Sequence, residues 1–371
     1  MSGYKERYLS EGLLSLLVSY YNKDVFSAAS LAYYSSVFPD NEDSLVSCGT
    51  TGRDGAEKVS PATLFDLASL TKPLVTALCV LSLIDSKKLA WDDPLGSLLD
   101  IAVPEPLQAI NIYSLLSHSS GLPAHRNFWK TTVGEVKNRR NDCFLQETLQ
   151  QEEEYPLGSK HLYSDLGYIL LGSVVEQKTG KNLDRFWSEI VAEPLEIKKD
   201  LFFPERQESK YSRSYAATGI CQWSGEILQG VVHDDNCRSS GGVCGHAGLF
   251  GNAPAVLVLC KELLALYKGQ VSRLPISTET FRFACRRVGM SEWTAGFNLP
   301  SEQGSSTGAH FSPGSIGHLG FTGTSFWIDL QKELIVILLT NRVIAGDDQK
   351  GIKELRPAIH DYLVEYLQKN Q

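Results

Sequence analysis

Two patterns of apolar residues run along the chain, and they predict different elements. Residues 9–22 have the spacing of an amphipathic helix, and short alternating or apolar runs predict strands at 27–34 and 44–48. Residues 69–87 are apolar on nearly all sides, so this stretch is expected to form a helix buried between two layers.

The middle and the end of the chain differ in character. From about 90 to 260 the pattern predicts mostly helices joined by long loops, whereas 320–329 and 334–340 are typical of a hairpin. Residues 334–339 are continuously apolar, as expected for a strand that is covered on both faces. An amphipathic helix is predicted at 354–367.

Strands near both ends, with helices between them, indicate the fold class. Such strands can pair only if the chain folds back on itself, and the most economical solution is an α/β (α+β) fold. This fold has one antiparallel sheet flanked by helices, with an α-helical lobe inserted. We therefore expect a single domain over 10–368. Its sheet lobe comprises about 10–65 and 286–368, and its helical lobe about 90–260.

Composition and charge exclude several classes of partner. The 371 residues carry 35 Lys plus Arg against 43 Asp plus Glu, a formal net charge of −8. Binding of nucleic acid needs a basic face, so no nucleic-acid partner is expected. The longest mostly apolar stretch, 74–84, is about half of a membrane span, and the first residues do not have the pattern of a signal peptide. The eight cysteines form no CxxC pair, which is typical of reduced thiols. We expect a cytoplasmic protein with no membrane partner.

The segment Ser69-Leu70-Thr71-Lys72 matches the pattern S-x-x-K. On a helix, side chains three positions apart share a face, so the lysine amine would lie beside the serine hydroxyl. A neighbouring base is what makes serine a nucleophile. Pro73 indicates that the helix begins at or near Ser69, because proline is tolerated in the first turn of a helix. The alternative is a serine that caps the helix and a lysine on the surface.

Two further segments carry candidate chemistry. Tyr163-Ser164-Asp165 precedes an apolar helix, so its side chains either face a cleft or cap that helix. His318-Leu319-Gly320 opens the last hairpin, where a glycine permits close approach of a ligand and backbone N–H groups can bind an oxyanion. The alternative for His318 is a histidine in an ordinary turn.

Together, these motifs resemble those of the serine β-lactamase and penicillin-binding-protein superfamily. The resemblance is closest to its class C-like branch, which includes esterases, D-amino-acid peptidases, muropeptide amidases and β-lactamases. It extends over nearly the whole chain. The matching stretches are FDLASLTKP (65–73), LLSHSSGLP (115–123), YSDLGYILLG (163–172), GGVCGHAGLFG (241–251) and GHLGFTGTSFWIDL (317–330).

The resemblance implies a β-lactamase/transpeptidase-like fold with the site between its two lobes. Ser69 would be the acylated nucleophile, Lys72 its base or the group that tunes the base, and Tyr163 a proton shuttle. His318-Leu319-Gly320 would occupy the place of the family's K-T-G motif. The N–H groups of Ser69 and Phe321 would form the oxyanion hole. His118, in the second matching stretch, is expected to bind backbone around the nucleophile helix.

The chain departs from the family pattern at two positions. The lysine that helps to bind a substrate carboxylate is replaced by His318, which is cationic only part of the time near neutral pH. The asparagine that commonly ends the second motif is replaced by Asp165, which can only accept hydrogen bonds when ionised. Asp165 would hold Lys72 protonated if the two touch, which favours Tyr163 as the working base.

The glycine-rich segment 230–251 contains His233, Asp234, Asp235 and His246. Two histidines and two carboxylates suggest a metal, but no HExxH or cysteine pair accompanies them, so we expect no metal and no cofactor. A role for His233 and His246 in lining the substrate site is favoured. The segment resembles the muropeptide amidases of the superfamily.

These observations predict a serine hydrolase that cleaves an amide or ester through an acyl-serine intermediate. A cell-wall peptide or another small amide is favoured as substrate, with Asp165, His318, Gly320, His246 and His233 in contact with it. A small-ester esterase or a β-lactamase is the alternative within the class. The alternative of another class is a catalytically lapsed binding protein. The oligomeric state stays open.

Overall fold

The computed structural model describes residues 2–37, 45–52, 56–132, 140–204, 213–346 and 349–370. Ser44, the first residue of one predicted strand, lies outside these ranges. Within them the α-helices, α1 to α13 in chain order, are Ser2–Tyr21, Leu78–Asp85, Glu105–Gln108, Ile112–Leu116, Trp129–Thr132, Arg140–Leu149, Asp165–Thr179, Leu183–Trp187, Asp235–Ser240, Ala253–Lys268, Thr278–Ala284, Arg342–Ala345 and Lys350–Asn370. The strands, β1 to β10, are Ala28–Ser35, Leu45–Gly49, Phe65–Asp66, Leu201–Phe202, Gly219–Ile220, Ile227–Leu228, Phe250–Gly251, Ile316–Leu319, Ser325–Asp329 and Leu334–Thr340.

The main sheet joins the two ends of the chain. It has five strands in the order β2-β1-β10-β9-β8, and every neighbouring pair is antiparallel. Ala29 of β1 pairs with Thr340 of β10, so the chain does fold back as the pattern of strands predicted. The predicted fold class is confirmed. The hairpin strand begins at Ser325, later than predicted, because a turn with Gly323 at φ 100° separates β8 from β9.

Helices cover both faces of this sheet, which explains the continuous apolar run in β10. Ile335, Ile337 and Leu339 face a large core that includes residues of α10 and of the helical lobe. Val336 and Leu338 face a second core, which α1 and α13 complete. Alternate residues of a strand point to opposite faces, so both sets must be apolar. α10 packs on β1 and β10 of this sheet.

The segment predicted as one helix at 69–87 is helical but irregular. A 3₁₀ turn at Ala68–Leu70 leads into a π-helical stretch at Lys72–Ala77, and α2 follows. Pro73 has no N–H with which to make the α-helical bond to residue 69, which explains part of the irregularity. The indole of Trp187 donates to the carbonyl of Leu74 at 2.8 Å and so satisfies an acceptor inside the π-helical stretch.

The same segment is the one described helical stretch that is long and apolar enough to cross a membrane. Ala68–Asp85 meets that test by length and composition, but 83% of it is buried inside the molecule. This burial is what a core helix of a folded protein shows. Seven described cysteines are free thiols: Cys48, Cys79, Cys221, Cys237, Cys244, Cys260 and Cys285.

Candidate active site

The three sequence motifs meet in one cleft of about 770 Å³. Ser69, Tyr163 and Asp165 line one part of it, and His318 and Phe321 line another. The cleft lies where the end of β8 meets the 3₁₀ turn that carries Ser69. Residues almost 250 positions apart therefore share one site only because the termini pair in the main sheet.

Ser69 is held on a turn whose backbone is constrained from several sides. Ala68 has φ 49°, a left-handed conformation that costs a residue with a Cβ about 1–2 kcal/mol. Its N–H donates to Oδ1 of the buried Asp66 at 2.9 Å, and the other carboxylate oxygen accepts from the His233 N–H at 2.7 Å. Burial raises the pKa of Asp66 to about 6, although these N–H donors favour the charged form. Ser69 itself is half-buried and reaches the cleft.

Lys72 is fully buried behind Ser69. Its Nζ donates to Ser69 Oγ at 3.1 Å and to the His246 carbonyl at 3.1 Å, and it lies 2.7 Å from Asp165 Oδ1. Burial alone would lower the pKa of Lys72. Asp165 and Tyr163 together outweigh burial, and the pKa of Lys72 is raised above its ordinary value. Lys72 is therefore an ammonium in the resting site.

Tyr163 covers this pair from the cleft side. Lys72 Nζ lies 4.8 Å from the centre of its ring, and its hydroxyl interacts with Ser69 and Lys72. Burial raises the pKa of Tyr163, although the lysine cation acts in the opposite direction. The resting hydroxyl is therefore protonated. Trp293 stacks on Tyr163 with ring centres 5.6 Å apart, which fixes the plane of the tyrosine.

Asp165 connects Lys72 to a histidine that the sequence analysis did not identify. Its Oδ2 lies 3.0 Å from Nδ1 of His125, on the side opposite to the lysine. The Lys72 cation holds the pKa of Asp165 well below its ordinary range, although burial acts against this. The contact on which the sequence analysis made the protonation of Lys72 depend is therefore present, and Asp165 is a carboxylate.

His118 binds the backbone of the second motif at Ser164, whereas the sequence analysis expected it to bind backbone around the helix that begins near Ser69. Its Nδ1 accepts a hydrogen bond from the Ser164 N–H at 3.1 Å, so the proton of the neutral ring is on Nε2. Burial and the nearby Lys72 cation keep the pKa of His118 well below its ordinary value. Its ring centre lies 4.8 Å from that of Tyr163, so His118 also packs behind the tyrosine.

His318 differs from the expectation of a partly cationic group. It is 2% exposed, and its Nδ1 donates to the carbonyl of Leu319 at 2.8 Å. Burial and the Lys72 cation lower the pKa of His318 to about 3. The ring is therefore neutral between pH 6 and 8, and the predicted charge of His318 at that pH is wrong. The sequence could not show this, because burial is a property of the folded chain.

Neighbouring protein atoms leave no room for a side chain at Gly320, whether or not a ligand approaches it. A Cβ on Gly320 would lie 2.0 Å from Thr324 Oγ1 and 2.8 Å from the carbonyl of Leu67. Thr324 Oγ1 donates to that same carbonyl at 3.1 Å, which fastens this turn to the segment before Ser69. With the turn held by this hydrogen bond, Phe321 lies at the edge of the cleft and is 53% exposed. Among the described residues, the Phe321 N–H has no hydrogen-bond acceptor.

The two histidines of segment 230–251 have separate surroundings. The ring of His246 is buried, and its Nε2 lies 3.0 Å from Asp234 Oδ1. Burial alone would lower the pKa of His246, but neighbouring negative groups including Asp234 raise it well above its ordinary value. His233 stacks on Phe321 with ring centres 5.5 Å apart and lines the cleft. Among the described residues, no group of three or more His, Cys, Asp or Glu side chains has the arrangement of a metal site.

Other side chains that line the cleft were also not predicted from the sequence. His125 follows the stretch LLSHSSGLP by two residues, so the match in that stretch was the available signal. Trp293 stands in a loop-rich region with no motif. Arg342, Lys353 and Arg356 also line the cleft, and only their place next to β10 and in α13 brings them there.

The chain is similar in sequence and in fold to several known proteins. The chain is 32% identical over 318 residues to the N-acetylmuramyl-L-alanine amidase of Bacillus subtilis (strain 168), covering 77% of this chain and 69% of that protein. The octameric penicillin-binding protein homologue from Pyrococcus abyssi has the same fold, with a TM-score of 0.73 at 18% identity, over 97% of this chain and 77% of that one. The D-amino acid amidase from Ochrobactrum anthropi SV3 superposes with a TM-score of 0.72 at 18% identity, over 98% and 99% of the two chains. A sequence model of the Beta-lactamase family matches residues 17–358. The chain therefore belongs to the Beta-lactamase family.

Proposed function

We propose that this chain hydrolyses an amide bond of cell-wall peptide fragments through an acyl-enzyme formed on Ser69. The observation that carries the proposal is the contact of Ser69 Oγ with the buried ammonium of Lys72, at 3.1 Å, under the hydroxyl of Tyr163. The relative from Bacillus subtilis is named an N-acetylmuramyl-L-alanine amidase, which supports an amide substrate from the cell wall.

The protonation of the site suggests how Ser69 is activated. Lys72 has no lone pair while Asp165 holds it protonated, and Tyr163 is a neutral phenol. In the proposed step, Ser69 Oγ attacks the carbonyl carbon, its proton moves to the oxygen of Tyr163, and the proton of Tyr163 moves to the leaving nitrogen. The C–N bond breaks, and the amine leaves with the number of protons in the site unchanged. The ammonium of Lys72 stabilises negative charge on Ser69 and Tyr163 during the transfer.

Hydrolysis of the acyl-enzyme follows the same path in reverse. Water attacks the ester carbon, one of its protons returns through Tyr163 to Ser69 Oγ, and a carboxylic acid leaves. In both steps the N–H groups of Ser69 and Phe321 would bind the oxyanion. Removing one such donor typically costs about 10²–10³-fold in kcat.

Intact-mass measurement after incubation with a fluorophosphonate or penicillin tests the proposal. Ser69 should gain one adduct, and a Ser69→Ala variant should gain none. Turnover is then compared on an N-acetylmuramyl dipeptide, a D-alanyl peptide, a simple aryl ester and a penicillin. Faster turnover of the ester than of either amide would favour the esterase alternative. Absence of any adduct and of any turnover would favour a lapsed binding protein.

A further inference from the structure

His125 is fixed at one ring nitrogen and open at the other. Its Nδ1 lies 3.0 Å from Asp165 Oδ2, and a carboxylate only accepts, so Nδ1 carries a proton and donates. The side chain is 43% exposed and lines the cleft together with Ser69. Among the residues that the structure describes, Nε2 of this ring has no hydrogen-bond partner. The ring is therefore oriented by protein on one side and available to a ligand on the other.

The positive charge of His125 is not neutralised by an acidic residue of its own, because each described carboxylate that lines the cleft already has another cation as its partner. Three of the described lining residues are carboxylates, and each has a cation of its own: Asp165 has Lys72, Asp234 has His246, and Asp235 has Arg238. The titratable groups that face the His125 ring are Asp165, Asp234 and His246, and the guanidinium of Arg126 donates to the His125 carbonyl at 3.0 Å. The hydrogen bond to Asp165 raises the pKa of His125 above its ordinary value, although burial acts in the opposite direction.

Three further cations, Arg342, Lys353 and Arg356, also line the cleft. The cleft is thus more positive than its chain, whose formal net charge is −8. A cleft that concentrates positive charge favours substrates with negative groups.

From these contacts, we propose that His125 is a substrate-binding residue whose Nε2–H donates a hydrogen bond to a carboxylate of the substrate. The inference rests on the proposed function and narrows its substrate class to peptides with a free carboxylate. His125 then has the role that the sequence suggested for His318, which is neutral and buried on another wall. The carboxylate of Asp165 serves two cations, the one that contacts Ser69 and the one that contacts the substrate.

The proposal sets a direction for the pH dependence. Below its raised pKa the ring is an imidazolium, and its Nε2–H makes a charge-assisted bond to the carboxylate. Above that pKa the neutral ring keeps its proton on Nδ1, because Asp165 accepts it there, and Nε2 becomes an acceptor that repels the carboxylate. The KM of a carboxylate substrate should therefore rise as the pH passes through this raised pKa, above the ordinary histidine value of about 6.5.

The test uses an N-acyl dipeptide with a free C-terminal carboxylate and the same dipeptide with a C-terminal amide. Values of kcat and KM are measured from pH 5.5 to 8.5 for the unaltered chain, His125→Gln and His125→Lys. At pH 6, His125→Gln should raise the KM of the carboxylate substrate about tenfold relative to that of the amide substrate. His125→Lys should restore the preference and keep it up to pH 8.5. His310→Gln is the matched control, because His310 faces Glu365 and does not line the cleft.

Two results would overturn the proposal. One is a ratio of the two KM values that is the same in His125→Gln and the unaltered chain at every pH. The other is an equal change of both KM values, which would assign His125 to holding Asp165 in place. Adduct formation on Ser69 in the same variants separates this failure from failure of the proposed function, since a hydrolase without carboxylate preference would still be labelled.

Discussion

Lys72 Nζ lies 2.7 Å from Asp165 Oδ1, and the lysine is fully buried. This ion pair decides the protonation of the candidate catalytic group. Burial favours a neutral amine, whereas Asp165 and Tyr163 favour an ammonium, and these two together prevail over burial. The pair stabilises the folded state above the unfolded pKa of Asp, about 3.9, and below that of Lys, about 10.4.

Replacing Asp165 by Asn should reverse the direction in which the titration of Lys72 changes the free energy of unfolding with pH. Without the carboxylate, burial dominates and the pKa of Lys72 falls below its unfolded value. The unfolded chain then binds more protons than the folded chain in the window between these two values, so stability rises with pH there. We expect the variant to gain at least about 1 kcal/mol in free energy of unfolding from pH 6 to pH 9, relative to the unaltered chain.

Urea denaturation at the two pH values measures this gain, with both chains carrying His125→Gln, because Asp165→Asn also removes the partner that raises the pKa of His125. Asp235→Asn serves as the control, because the partner of Asp235 is Arg238, whose guanidinium does not lose its proton in this range. An equal gain in both variants would show that general charge, and not Lys72, causes the change.

Lys72 and Tyr163 are expected to act with Ser69 as one unit. Lys72→Ala and Tyr163→Phe should each reduce kcat at least about 10²-fold, and the double variant should lose little more than either single one. The reason is that proton transfer from Ser69 needs both the phenol and the adjacent ammonium. Losses that multiply in the double variant, measured by kcat on one amide substrate, would contradict the shared role.

His318 should have no influence on the pH profile between 6 and 8. Its pKa is lowered to about 3, so the ring does not titrate in this interval. His318→Gln is expected to change the level of kcat/KM but to leave the shape of its pH dependence unaltered. Loss of an inflection near pH 6.5 in this variant would show that His318 is cationic in solution.

Replacement of Ala68 by glycine should cost less stability than replacement of an alanine inside a helix. Its φ of 49° costs an L-residue about 1–2 kcal/mol, and glycine removes this cost while it adds about 0.4–1 kcal/mol of unfolded-chain entropy. Ala68→Gly should therefore leave the free energy of unfolding unchanged or raise it by up to about 1.6 kcal/mol. Ala265→Gly, within α10, should lower it by about 1 kcal/mol. Denaturation of both variants in urea compares them, and equal losses would mean that Ala68 is not strained.

Local pattern alone was enough to predict much of the main sheet and the three motifs. β1, β10 and the flanking α1 and α13 were predicted because their periodicity reflects which faces are buried. Ser69, Lys72 and Tyr163 were identified because neighbours along a chain stay neighbours in a helix or at its start. The family was recognised for the same reason, since its motifs are short and continuous.

The tertiary structure determined the burial, the contacts and the protonation of those residues. Whether His318 is charged depends on its burial and on Lys72, which lies far away in the sequence. The contacts of Asp165 with Lys72 and His125 arise because three separate segments pack together. Burial and the sum of nearby charges set a pKa, and both depend on contacts between distant parts of the chain. The sequence by itself therefore determined which chemical groups are present, and folding determined their protonation and which of them can reach a substrate.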